Sequence, residues 1–410
     1  MNQPDNLLGI PKFSLAERER RWKQVRRLMA REDLDAIFVP PNTGLFDMFQ
    51  ANVRYLTGLG GNHCMVATVF PREGEVTAIS SPDVDKQIWL QRQDWVTDIR
   101  NVSRGWGFTG EAVERLRELG HIKRLGVTGL SGNTRYPEGV TSHGTVERLR
   151  AMLPEVELVN ANALMEEARF VKSAEEIEFL RAGVVLVERA IEVMAAESRP
   201  GVPENVVYAH MISSIVEGGG ELPSMILWSA GWPQPPSNSY LPTRRPLRQG
   251  DIILPEVEAR WGGYVAQNTQ PLCIGRAPAE YHEMFALQQE ALRICYDMLR
   301  PGQRLGAIAD RINGLGNEDF DCRILMHGRG LGDDSPLAVY GVRDETMANW
   351  VMEDNSAFIV KPVVWNKDRS SRVCWGDTVV CTAAGAQRLG KRPAAIIETD
   401  KFSDEFIFMT

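Results

Sequence analysis

The run Asp251-Ile-Ile-Leu-Pro-Glu256-Val-Glu258-Ala-Arg260-Trp places two acids two residues apart. On a β-strand that period puts Glu256, Glu258 and Arg260 on one face and Val257, Ala259 and Trp261 on the other. Two carboxylates this close could bind a cation, or one could take a raised pKa suited to acid/base work. The same alternation also describes the outward polar face of a half-buried strand. A second candidate is Ile324-Leu-Met-His327-Gly-Arg329-Gly-Leu-Gly-Asp-Asp334-Ser-Pro. Its glycines permit tight turns and close backbone approach, so the segment reads as a site loop. Asp-Asp-Ser-Pro is equally good turn chemistry, and a single His is equally a structural residue. Lys361 lies inside the apolar run Ser356-Ala-Phe-Ile-Val-Lys361-Pro-Val-Val-Trp. Either it is buried against a partner, or Pro362 marks an edge strand with Lys361 facing water. The Pro-rich stretch beginning Gly231-Trp232-Pro reads as a pocket wall or a plain connection.

Metal chemistry would have to rest on carboxylates. The six histidines are scattered at 63, 121, 143, 210, 282 and 327, with no HExxH and no other close pair. The six cysteines show no CxxC spacing and read as reduced thiols, mostly in the core. With 410 residues, 43% hydrophobic and 24% charged, the composition excludes a disordered chain or a small disulfide scaffold. The net charge of −8 gives no reason to expect nucleic acid. No stretch is apolar for the length a membrane span needs, and no apolar signal core precedes the first charges, so a cytoplasmic protein is expected.

These groups need elements to hold them. Ser14 is placed to cap a helix over residues 14–33, and the apolar run Leu-Asp-Ala-Ile-Phe-Val-Pro-Pro at 34–41 reads as a short buried strand. Strand-like and helical stretches then alternate through residues 1–162, which predicts an α/β domain. From 163 to 410 the pattern is α+β. Ser173 and Glu176 have capping-box spacing before a long helix striped by Ile177, Leu180, Val184, Val187 and Ile191. Further helices are expected over 203–217 and 280–298, covering a mainly antiparallel sheet.

Five segments in order resemble the pita-bread superfamily of creatinase, prolidase and aminopeptidase P: Asn52-Val-Arg-Tyr-Leu-Thr-Gly58; Arg169-Phe-Val-Lys-Ser173 with Glu175-Glu-Ile; Gly250-Asp-Ile-Ile with Gly263-Tyr264; His327-Gly-Arg-Gly; and Asp377-Thr-Val-Val. The resemblance implies a creatinase-type N-terminal domain, a pita-bread catalytic domain and a homodimer. Metallopeptidases of that superfamily bind two metal ions through two Asp, one His and two Glu. Here the first Asp position holds Glu256 and the second Gln267; His327 is kept; the Glu positions hold Lys361 and Gly376; a second catalytic His falls on Asp334. Three ligands are lost and Lys361 adds a positive charge, so no metal and no other cofactor is expected.

The resemblance then narrows to the metal-free, creatinase-like or ectoine-hydrolase-like branch. It implies hydrolysis of a C–N bond in a small polar molecule. Glu256 would be nucleophile or general base, His327 a proton carrier, and Lys361 the positive charge for an oxyanion. Glu258, Tyr264, Gln267, Arg329, Asp334, Trp232 and His63 complete the expected substrate-binding set. A lyase on the same scaffold, a divergent Xaa-Pro metallopeptidase and a non-catalytic binding module are the alternatives.

Overall fold

The structure, a computed structural model, describes residues 9, 11–41, 50–61, 65–80, 86–102, 107–132, 137–231, 241–332 and 334–400. It contains two compact units, Met1–Phe170 with Leu331–Asp333, and Val171–Gly330 with Asp334–Thr410.

In the first unit, six strands form one mixed sheet. Their spatial order is Asp98–Asn101, Thr77–Ser80, Val66–Pro71, Ala36–Val39, Arg124–Val127, Glu157–Asn160. The Ala36–Val39 strand pairs antiparallel with Val66–Pro71 and parallel with Arg124–Val127, so it is buried along its whole length. Ser14 caps the helix Leu15–Arg31 by accepting a 3.1 Å hydrogen bond from the Glu17 amide. Phe38, Val69 and Leu125 of the sheet pack with Leu116 and Leu149 of two covering helices. The Arg54-Tyr-Leu-Thr-Gly58 motif forms the end of the fully buried helix Ala51–Thr57, and Gly58 terminates it at φ +68°. Its Tyr55 hydroxyl donates to the Ala168 carbonyl at 2.7 Å, and Arg169 donates to Asn52. Two motifs of the resemblance thus brace each other inside this unit.

In the second unit the long helix is Ala174–Glu197, with the capping box of Ser173 and Glu176 formed in both directions. Of its stripe, Leu180, Val184, Val187 and Ile191 are buried, and Ile177, in the first turn, is half-buried. The helix lies against a hairpin of Glu256–Trp261 and Tyr264–Thr269, turned by Gly262 and Gly263 at φ +54° and +87°. Two consecutive positive φ values suit a two-residue hairpin turn, which glycine adopts without strain. Ala357–Val360 pairs antiparallel with Leu325–Gly328 on one side and with Asp377–Thr382 on the other.

Two sequence expectations change here. His327 is not on a loop; it sits in the strand Leu325–Gly328 between two partners, and the glycines only begin the turn beyond it. The apolar run around Lys361 is not one strand either. Ala357–Val360 ends at Lys361, and after Pro362 the strand Val363–Asn366 joins a different sheet between Phe320–Arg323 and Arg372–Cys374. Proline lacks the amide that would continue the first ladder.

Candidate active site

The hairpin sets Glu256 and Glu258 on one face, and neither faces bulk water as a free polar edge. Glu258 is 1% exposed, whereas the Glu256 side chain keeps 25% of its surface open. Each acid has a cation. Lys361, itself 3% exposed, donates from Nζ to Glu256 Oε2 at 2.5 Å. Arg329 donates to Glu258 Oε1 at 2.9 Å, and Ser224 Oγ donates to Oε2 at 2.7 Å. Gln267 joins the two pairs from the neighbouring strand. Its Nε2 donates to Glu256 Oε2 at 2.9 Å while its Oε1 accepts from Arg329, which fixes the orientation of the amide.

Burial pushes the Glu256 carboxyl up, but the charge and hydrogen bond of Lys361, with smaller contributions from His327 and Arg372, hold it below its ordinary range. Glu256 is therefore a carboxylate at neutral pH. All of its hydrogen bonds from described residues go to Oε2, so Oε1 is left open.

The Lys361 pairing depends on Gly376. A Cβ at 376 would lie 2.3 Å from Lys361 Cβ and 2.8 Å from the Val360 carbonyl oxygen. Real Cβ contacts do not come so close, and the atoms met are backbone or next to it. The two departures from the superfamily pattern, Lys361 and Gly376, are in this way a single structural change. The second buried lysine, Lys172 of the Arg-Phe-Val-Lys-Ser motif, pairs with Asp334 at 3.7 Å.

Of the other expected site residues, His327 is 3% exposed, with Nδ1 3.3 Å from the Gly328 carbonyl oxygen. The Tyr264 hydroxyl is spent on Glu176 at 2.6 Å, which ties the hairpin to the capping box. Arg329 is buried with Glu258 and Gln267, to both of which it donates. Trp232 and His63 lie outside the described residues.

A pocket of about 90 Å³ opens beside Glu256, small next to the several hundred Å³ of a drug-sized site. Trp228, Leu254, Leu325 and Val363 make its apolar walls, and Glu256, Thr269, Arg372 and Cys374 its polar side. Sequence reasoning missed Arg372 and Cys374. They face the same way on the three-residue strand Arg372–Cys374, and its alternation was the available signal. Cys374 is no resting nucleophile: burial, with Glu256 nearby, pushes its thiol up to about 11. The five described cysteines are all buried and unpaired.

The pattern of metallopeptidase family M24 matches residues 178–383, half of the chain, and that of the creatinase/prolidase N-terminal domain matches residues 21–171. The chain belongs to metallopeptidase family M24, with a creatinase-type N-terminal domain and a pita-bread C-terminal domain. It is 27% identical over 250 residues to a probable dipeptidase PepE of Mycobacterium tuberculosis, covering 58% of this chain and 63% of that relative. It is 23% identical over 266 residues to an ectoine hydrolase of Halomonas elongata, covering 59% and 63%. The chain therefore spans under two thirds of the length of these relatives. A Bacillus anthracis Xaa-Pro dipeptidase shares the fold with a TM-score of 0.74 at 19% identity, over 93% of this chain and 99% of that one.

The family name implies metal, and the donor set can be tested against it. A dinuclear centre needs several anionic oxygens around each ion. Around Glu256 stand instead an ammonium, an amide N–H and a glycine with no room for a side chain. Among the described residues no three His, Cys, Asp or Glu gather in a metal-binding group. These residues do not fit the family's dinuclear centre.

Proposed function

We propose that the protein is a hydrolase that cleaves a C–N bond of a small polar molecule without a metal ion, with Glu256 as the nucleophile. The observation that carries this reading is the division of labour at Glu256: Oε2 is held by Lys361 and Gln267, Oε1 takes no hydrogen bond from a described residue, and the residue lines the pocket. A carboxyl held below its ordinary range is a poor proton acceptor, so nucleophile is preferred to general base.

Oε1 bonds to the substrate carbon, the C–N bond breaks, and the electron pair leaves on nitrogen, which takes a proton from His327. As Glu256 loses its charge, Lys361 is released to stabilise the oxyanion. Water then attacks the acyl-glutamyl anhydride, gives a proton back to His327, and leaves the substrate acid and the free Glu256 carboxylate.

Hydrolysis of a peptide C–N bond with bound metal is the second reading, favoured by the dipeptidase names among the relatives. The two part in one experiment: metal content of the purified protein, with turnover of amides, amidines and Xaa-Pro dipeptides measured with and without chelator. Chelator-resistant turnover that falls about a thousandfold in Glu256→Gln supports the first reading. Stoichiometric metal with chelator-sensitive dipeptide cleavage overturns it. A homodimer belongs to the same proposal, checked by solution mass. No helix among the described residues is long and apolar enough to cross a membrane.

A further inference from the structure

We propose that Arg372 is the anion anchor of the Glu256 pocket, and that the natural ligand is a small molecule carrying a carboxylate. The inference deepens the reading of Glu256 as the reacting group and rests on it for which end of the ligand reacts.

The inner arginines of this unit separate into two kinds. Arg329 is taken up by Glu258 and Gln267, Arg260 by Ser224 and the Gly263 carbonyl, and Arg388 by Asp377. Arg392 reaches the carbonyls of Thr269 and Gly376. Arg372 is different: it is half-buried, and no hydrogen bond or ion pair joins its guanidinium to any described residue; its buried Nε, unmatched like that of Arg392, does not by itself set it apart. A guanidinium carries five donors, and a buried donor with no acceptor is unfavourable unless something else supplies one.

The position of Arg372 says where that acceptor would come from. It lines the same small pocket as Glu256, at the start of the strand Arg372–Cys374, opposite Trp365 of Val363–Asn366. Charge balance gives the sign. Lys361 already neutralises Glu256, so Arg372 leaves the pocket with one surplus positive charge. Arginine's planar fork matches a carboxylate in two parallel hydrogen bonds, and the apolar walls of Trp228, Leu254 and Val363 suit a short carbon body between the anchor and Glu256. The role of anion binder, which sequence reasoning gave to Arg329, belongs on this account to Arg372.

The test is binding, read without turnover, on the full chain. Calorimetric titration would compare matched carboxylate and amide probes: acetate with acetamide, butyrate with butyramide, N-acetylglycine with N-acetylglycinamide, and N-acetylproline with its amide. At least one carboxylate should bind about tenfold or more tightly than its amide partner. Arg372→Gln should bring that ratio to about one, while Arg372→Lys, which keeps the charge and loses the fork, should retain part of it. Thermal unfolding confirms that each variant is folded; should Arg372→Gln fail to fold, Arg372→Lys carries the comparison, and an unchanged ratio in it overturns the fork. No preference in any pair, or a preference that survives Arg372→Gln, overturns the proposal. Glu256→Gln should keep or strengthen the carboxylate preference while abolishing turnover. The anchor can thus stand if the nucleophile fails, and fail if it stands.

Discussion

Glu256 and Glu258 are the same residue type, on one face of one strand, each with a basic partner and both linked through Gln267. Their difference is access. Glu258 and Arg329 are sealed, with side chains 1% and 2% exposed, whereas Glu256 keeps 25% of its side chain open beside the pocket. A sealed ion pair serves as a strut, because removing either charge strands the other in a place water cannot reach. An open pair can rearrange, because solvent or a ligand can replace a partner. Strand alternation alone gives both acids the same environment; chemistry is available only at the one whose second oxygen stays uncovered.

The sharpest way to break this comparison is to remove each cation. Arg329→Met should destabilise the fold by about 3–5 kcal/mol, since it leaves Glu258 buried with only Ser224 to help. Chemical denaturation measures it, and a loss below about 1 kcal/mol would mean the pair is not sealed.

Gly376→Ala comes next, at about 1–3 kcal/mol, because the new Cβ would overlap Lys361 and the Val360 carbonyl. The same variant should displace Lys361 from Glu256 and reduce turnover with it. A stable, fully active Gly376→Ala protein would sever the link between these two positions.

Lys361→Met should have the smallest effect on stability at neutral pH, about 1 kcal/mol, because the partner it leaves is partly hydrated. Its signature is in pH. Glu256 titrates below its ordinary range when folded, so its contribution is fully present above the unfolded carboxylate pKa and is lost as pH falls through the folded value. Without Lys361 the upward push of burial meets less opposition, and the acid loss should shrink or reverse. Melting temperatures of wild type and variant from pH 7 to pH 3 decide it; parallel curves would show that Lys361 does not set the Glu256 charge.

Much of the scaffold was legible in the chain. Ser14 and the Ser173–Glu176 box mark helix starts because a cap is a contact within three residues. The stripe Leu180, Val184, Val187, Ile191 marks the buried helix face because the period of a helix is fixed. Glu256, Gln267 and Lys361 could also be singled out, the last because a charge inside an apolar run demands a partner. What escaped was everything set by pairing at long range. The His327 segment looked like a loop because its glycines are local and its two strand partners are not. Arg329 looked like the available cation, and Arg372, in a short strand after a turn, drew no attention.

By itself, then, the sequence determined the elements, the order of two domains, and the loss of acids at positions 267, 361 and 376, since these follow from residue type and short-range geometry. Only the tertiary structure decided that Lys361, 105 residues away along the chain, closes on Glu256, that Glu258 is sealed two residues further on, and that Arg372 is left unmatched at the pocket. The physical reason is that the strength of a charge in a protein is set by what surrounds it, and in a sheet those surroundings come from strands distant in sequence.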